Sequence, residues 1–474
     1  MADRSEAWKE KAVIWHLGLL TVFTAWAFGG QAPWVRDVLR IAGSAGIVLW
    51  IVTAGALVRR HGGGLWTAAR WLWPLLLYDV FAVAAAFNPS FRQAVLGGEA
   101  YYIAQDPPVS WLPSTALPRA ALLELWLLNG LVFSAHNLLV VSSRRLLRSL
   151  LLMLAASAFL LAVFGTFQKL LRADGLWFGL VKSPNEFFFS TFIYHNHWGA
   201  FALLNTAVCA GLLFHHLRRP EHRDLWHSPV LAGAVAALVL AATAPLSGSR
   251  SGSLLLCLLV LGAAGHFALQ IARRRRERHE SSALPLAGLA LAVVLGAGAV
   301  FWLARPVIEQ RMRHTARQIE EIKSSSPTDV NARLALYRDT WRMAQDKPWF
   351  GWGLESYAHV FQIYNTQRPV EKVFRQRFYT EAHNDWFQSL AESGFVGTGL
   401  LVLLGALPLA SVRWGRVDSR LPRYLLAGCG LVLLYAWVEF PFANPSVILA
   451  FWTALYAAAA YARLDLRAQS GGAG

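Results

Sequence analysis

About twelve apolar stretches, many near 20 residues long, recur along the chain between shorter polar segments. They lie near 12–29, 38–58, 67–87, 120–142, 148–168, 194–214, 228–246, 253–272, 283–303, 387–410, 422–440 and 446–462. A helix of about 20 apolar residues matches the hydrocarbon core of a bilayer. Backbone groups in lipid must be satisfied internally, which a helix achieves. The pattern therefore predicts an all-α polytopic membrane bundle of about 12 transmembrane helices. No short internal repeat is evident. Ala25-Trp26-Ala27 has the small-x-small spacing of a leader cleavage site. Apolar and aromatic residues run on through it, so the first stretch reads as a span.

Two polar-rich segments interrupt the spans. Residues 88–118 hold Tyr101, Tyr102, several prolines and Trp111, and read as a lid or an ordered cap. The segment from about 304 to 386 has a pattern of its own. Apolar and charged positions alternate at helical spacing over 306–323, and Ser324-Ser325-Ser326-Pro327 breaks that pattern. Asp329 is a candidate N-cap for a second helix that ends before Pro348. Leu334, Tyr337, Trp341 and Ala344 would form its apolar face, with Arg333, Arg338 and Arg342 on the rest. The expected organisation is spans one to nine over 1–303, a large helical loop over 304–386, and three spans with a tail over 387–474.

Charge gives these elements a direction. Of 474 residues 55% are hydrophobic and 15% charged, against about a quarter charged in a soluble chain. The formal net charge is nevertheless +16, which raises nucleic acid or anionic lipid as partners. Its distribution favours topology as the cause. With the N-terminus inside, about 23 Lys and Arg fall in inward segments, about 8 in short outward ones and about 13 in the long loop. Both termini are then cytoplasmic, the large loop is periplasmic, membrane lipids are the surroundings, and no nucleic acid is implied. Cys209, Cys257 and Cys429 all fall in apolar stretches and read as small buried hydrophobes.

Several chemistries lack their motifs: there is no Walker-type loop, no H-E-x-x-H and no Asp-x-Asp. Gly248-Ser249-Arg250-Ser251-Gly252 carries arginine where a nucleophile elbow needs serine. Arg250 sits at an outward turn, where a guanidinium fork can hold phosphate or snorkel to headgroups. Its flanking glycines suit helix packing. Tyr194-His195-Asn196-His197-Trp198 opens the sixth span; its imidazoles and amide suit sugar hydroxyls or phosphate, or simply an interfacial belt. Two histidines are too few for a metal site. Glu381-Ala382-His383-Asn384-Asp385-Trp386 ends the long loop. His383 can accept a proton near neutrality, oriented by Asn384 or Glu381, or the segment can merely cap a helix. Glu439 stands near the outward end of the eleventh span, where a carboxylate needs a partner.

Three segments in order carry a family resemblance. They are Tyr194-His195-Asn196-His197-Trp198-Gly199-Ala200-Phe201, the Gly248–Gly252 turn, and Ala382-His383-Asn384-Asp385-Trp386-Phe387-Gln388 with Glu392-Ser393-Gly394 downstream. Arg333 and then Pro348-Trp349-Phe350-Gly351-Trp352-Gly353-Leu354 precede the last of these. Over about residues 190–400 the chain resembles the O-antigen ligase and polymerase superfamily of membrane glycosyltransferases. The resemblance implies a glycan donor on undecaprenyl diphosphate, an acceptor glycan or lipid A core, no cofactor and no required metal. It implies work at the periplasmic face of the bacterial inner membrane, beside other polysaccharide-assembly proteins as candidate partners. It maps the family histidine to His383 and the turn arginine to Arg250. In the mechanism these imply, Arg250 stabilises the departing diphosphate and His383 positions or deprotonates the acceptor hydroxyl, with inversion at the anomeric carbon. Lys182, His195, Asn196, His197, Arg333, Glu381, Asn384 and Glu439 are the expected substrate-binding set.

The chain departs from the family at one place. Many ligases carry another arginine before the sixth span, where this chain has Lys182-Ser183-Pro184-Asn185-Glu186-Phe187. Lys182, Arg172 or Arg333 would have to replace it, and lysine lacks the bidentate fork. That favours polymerase over lipid A-core ligase by a small margin. Two other classes stand beside the transferase: a transporter of a small anion such as bicarbonate, and a noncatalytic envelope-assembly scaffold.

Overall fold

Two helices organise the bundle, and both are apolar on every face. The computed structural model describes residues 2–61, 70–96, 99–217, 229–324, 329–366 and 379–471. Helix α6 (His195–His216) and helix α14 (Pro445–Gly471) are buried along nearly their whole apolar lengths, as an all-round hydrophobic helix requires. Around them stand α1 (Ala2–Trp26), α2 (Pro33–His61), α3 (Trp73–Ala86), α4 (Pro118–His136), α5 (Arg144–Leu170), α7 (Pro229–Ser247) and α8 (Arg250–Glu277). Then come α9 (Ala283–Ser324), α10 (Asp329–Asp346), α11 (Tyr357–Tyr364), α12 (Asp385–Ala410) and α13 (Leu421–Tyr435).

Among the described residues nine helices are long and apolar enough to cross a membrane. The remaining expected spans fall on α1, α3 and α13; α3 and α13 are short, at 14 and 15 residues. Part of the third expected span, residues 67–69, lies outside the described residues. The outer helices show what solvent the fold expects. None of the apolar window of α9 is buried within the protein, and Leu284, Val294, Phe301 and Trp302 are among its exposed side chains. An apolar surface that continuous belongs in lipid. This is a multi-pass membrane protein. Cys209 and Cys429 are buried as expected, whereas Cys257 is exposed on the outer helix α8; all three are free thiols.

The large loop departs from its expected layout in one respect. No break falls between the ninth expected span and the helix at 306–323: α9 runs unbroken for 42 residues through Pro306. At 1.5 Å per residue that is about 63 Å, twice the hydrocarbon thickness. Helix α10 stops before Pro348, as its pattern predicts; the residues before Asp329, where it would be capped, lie outside the described residues. Its buried stripe is Leu336, Asp339, Thr340 and Met343 with Ala344, however, and Leu334 is exposed. Tyr337 and Trp341 lie against Phe387 of α12. The described residues of 88–118 form an ordered cap. A hairpin of β1 (Phe91–Leu96) and β2 (Glu99–Ala104), pairing Phe91 with Ala104, is the one sheet among the described residues. Asn88 anchors the returning chain through the Val109, Leu112 and Pro113 carbonyls.

The tryptophan- and glycine-rich stretch after α10 has a structural task. Helix α12 breaks at Gly394 (φ 63°), and the chain at 348–353 docks into the break. Phe395 N–H donates to the Pro348 carbonyl at 2.7 Å and Val396 to Trp349 at 3.0 Å. In return Trp352 donates to Ala391 and Gly353 to Glu392, each at 2.8 Å. Gly351 (φ 66°) and Gly394 face backbone there: a Cβ on either would come within 2.4 Å of the opposing chain. Gly394→Ala is therefore expected to cost about 3 kcal/mol or more. Gly399→Ala, on the same helix with nothing near its Cβ, should be neutral or slightly stabilising. Thermal unfolding of the two purified variants checks this; equal melting temperatures would show that the docked break is dispensable.

Candidate active site

One buried carboxylate gathers the expected residues. Glu439 lies in the turn between α13 and α14, is 4% exposed, and donates its backbone N–H to the Tyr435 carbonyl. Arg333 Nη2 approaches its Oε1 at 3.1 Å from α10. His383 Nδ1 faces its Oε2 at 3.6 Å from the end of the large loop. Tyr194 OH donates to Oε2 at 3.4 Å and itself accepts from Asn196 Nδ2 at 2.9 Å. Burial would raise the Glu439 carboxyl. The close approach of His383 and the charges of Arg333 and His195 outweigh burial and hold it below the ordinary glutamate range.

The fold fixes His383 from several sides. Its backbone is left-handed, φ 52°, a conformation uncommon for any side chain but glycine. Tyr337 OH holds its carbonyl at 2.9 Å. Asn384 caps α12 by accepting from Phe387 N–H at 3.0 Å and donates to the Trp437 carbonyl at 2.9 Å. Asn384 is thus the cap that its sequence position suggests, and it ties the loop to the turn bearing Glu439. Phe440 completes the floor: its ring is edge-on to His383 and stacked on Tyr194. The His383 Nδ1 edge is buried, while the side chain keeps 30% of its surface exposed.

The Gly248–Gly252 turn is held to the same place. Gly248 turns the chain with φ 82° and Ser249 caps α8. Tyr435 OH donates to the Asn196 carbonyl at 3.2 Å, so Ser249 Oγ, 2.9 Å away, donates to Tyr435. A Cβ on Gly252 would press against Gly199 of α6, which is the helix packing that the glycine spacing allows. Arg250 is left exposed on the first turn of α8, at its positive dipole end.

The remaining expected residues are distributed differently. His195 and His197 are buried and each turns a ring nitrogen to a backbone carbonyl, Phe187 at 3.1 Å and Phe440 at 3.2 Å. They build the wall of the site. Lys182 is exposed on the loop between α5 and α6 and is not among the groups gathered round Glu439. Glu381 lines a neighbouring cavity of about 530 Å³ whose lining does not include His383. Arg36, Glu124, Glu355 and Glu392 share its polar end, and Leu401, Leu409, Phe451 and Leu455 its apolar flank. Arg36 is paired with Glu124 and stands 3.7 Å from Glu355. These groups come from four distant segments, so no spacing in the sequence announces them.

Burial raises the Glu381 carboxyl to about 7, with the Gln388 hydrogen bond opposing and Glu355 reinforcing. A carboxylate raised on folding destabilises the protein as pH climbs from its unfolded value to its folded one. Glu381→Gln should therefore stabilise the protein at pH 8 and make no difference at pH 4. Melting temperatures across that range check it, and a pH-independent difference would contradict it.

Residues 234–402 match the protein-family model described as O-Antigen ligase. The matched span holds Arg250, Arg333, Glu381, His383 and Asn384, whereas Glu439 and the Tyr194–His197 wall lie outside it. The match lends no support to the small-anion transport reading. No curated protein matches the chain.

Proposed function

From the match of residues 234–402 to the O-antigen ligase family model, we propose that the chain transfers or polymerises a glycan from undecaprenyl diphosphate onto an acceptor hydroxyl. The observation that carries the reading is the shared anchor: one buried carboxylate, Glu439, holds a histidine and an arginine together. With its Nδ1 proton turned to Glu439, His383 has Nε2 as its basic nitrogen for the acceptor hydroxyl. Arg333, half exposed beyond its contact with Glu439, and Arg250, at the positive end of α8, are the groups for the diphosphate. The hydroxyl oxygen attacks the anomeric carbon as the bond to the diphosphate breaks, and the configuration inverts. Charge stabilisation of that leaving group is worth several kcal/mol.

Arg333 answers the absence of a second ligase arginine, in place of Lys182. The Glu381 cavity suits the acceptor side: its carboxylates can accept from sugar hydroxyls but would repel a diphosphate, and its apolar flank admits a lipid chain. The excess of Lys and Arg at the opposite end of the spans supports an active site on the periplasmic face of the bacterial inner membrane.

The test is glycan analysis in a deletion strain carrying wild type or Arg250→Ala at matched membrane levels. Single-unit lipid-linked precursor accumulating with Arg250→Ala would identify a polymerase. Full-length lipid-linked polymer accumulating unattached would identify a ligase. Wild-type glycans with Arg250→Ala would leave a scaffold role and remove Arg250 from the reaction.

A further inference from the structure

The opposite end of the bundle holds a second polar cavity, of about 470 Å³, that glycan transfer does not use. Helix α6 runs from His195 at the candidate active site to His215 at this cavity; those 20 steps separate the two by about 30 Å. Arg144, Arg145 and Arg148 enter the cavity from the first turns of α5, and Arg420 from the N-cap of α13. Against these four arginines the lining sets two aspartates, Asp418 and Asp465.

With two carboxylates against four guanidinium groups the lining is net positive whatever pairs form within it. Arg144 Nη1 meets Asp465 Oδ1 at 3.2 Å, and Asp465 Oδ2 accepts the backbone N–H groups of Asp418 and Ser419 at 3.1 and 3.0 Å. Arg148 Nη1 meets Tyr461 OH at 3.1 Å and the His215 ring at 3.3 Å. Ser419 lines the cavity, is 9% exposed, and its Oγ makes no hydrogen bond. Arginines at helix N-termini also oppose the helix dipole, which is already positive there, at a cost that a bound anion reverses. Topology alone asks for basic charge at this end of the spans. It does not ask for a walled cavity, convergent arginines or a buried hydroxyl without a partner.

We propose that this cavity binds a phosphate group, held by Arg145, Arg148 and Arg420 at the cytoplasmic end of the bundle. Guanidinium forks match phosphate oxygens, and the volume suits one headgroup-sized ligand. A phosphodiester headgroup of an anionic lipid and a free phosphate offer the same oxygens. Basic pockets between spans on this side commonly take the former. The inference stands apart from the transferase reading.

The test uses the purified full chain. Native mass spectrometry would compare retention of phosphatidylglycerol with phosphatidylcholine at equal concentration, and melting temperature would be followed with inorganic phosphate. Arg145→Gln with Arg420→Gln should weaken the bound species about 20- to 30-fold, at roughly fivefold per arginine. Arg413→Gln with Arg416→Gln, exposed basic positions at the same end but outside the lining, should leave it unchanged. Arg145→Gln alone, at an exposed position, keeps the test usable if the double variant misfolds. Preference for phosphatidylglycerol without a phosphate effect identifies a lipid headgroup; a saturable phosphate effect without lipid preference identifies a soluble anion. Equal losses in the lining and control pairs, or indifference to both probes, would overturn the proposal.

Discussion

Replacing His383 by alanine is expected to lower glycan transfer by about 10²–10⁴-fold, the usual contribution of a positioned general base. The protein should still reach the membrane, because the imidazole is partly exposed and its Nδ1 meets Glu439 at 3.6 Å, longer than a good hydrogen bond. The left-handed backbone at φ 52° offers a second explanation for a loss, and His383→Asn separates the two. Asparagine tolerates positive φ better than most residues but cannot act as a base. If the imidazole does the chemistry, the asparagine variant is as inactive as the alanine one. If backbone conformation is what matters, asparagine restores transfer. Lipid-linked precursor and finished glycan in the deletion strain give the readout, and wild-type transfer by both variants would remove His383 from the reaction.

The sequence carries most of this arrangement in unequal ways. Spans are legible because an apolar run about 20 residues long has few alternatives in water or lipid. Helix α10 is legible at its C-terminal end, from Pro348. Its buried face was not. Periodicity nominates Leu334, but the interior chooses Leu336 and Thr340 and sequesters Asp339, whose Oδ2 takes two hydrogen bonds from Thr366. A polar residue bonded inside the fold cannot be told from a solvated one by spacing. His383, Arg333 and Glu439 could each be nominated from the chain, but not their meeting. Arg333 and Glu439 are 106 residues apart and join through the packing of α10 over the turn after α13. The same limit explains Glu381. It is two residues from His383 yet lines another cavity, because backbone conformation and not proximity in sequence decides direction.

Glu439→Gln should reduce transfer by about 10²–10⁴-fold while preserving side-chain shape. A catalytic histidine that loses the carboxylate behind it can drop by about 10⁴, and the looser 3.6 Å approach here argues for the lower part of the range. The amide can still receive a hydrogen bond from Tyr194, but it no longer offers negative charge to Arg333 or His383. Glu439 thus acts as a positioning residue, and its pH behaviour distinguishes that role from simple packing. Burial pushes its carboxyl up, and His383, Arg333 and His195 together pull it below its ordinary value of 4.5. A carboxylate lowered on folding contributes stability that is fully present above the unfolded value and lost as pH falls through the folded one. The stability gap between wild type and Glu439→Gln should therefore be constant from neutral pH to about 5 and close as pH falls below 4.5. Arg333 is 54% exposed, so water screens its share and the gap should be about 1 kcal/mol rather than the several expected of a sealed pair. Glu439→Asp, which keeps the charge, should recover part of the transfer. A gap independent of pH, with aspartate no better than glutamine, would mean that Glu439 only fills space and that His383 and Arg333 are held by something else.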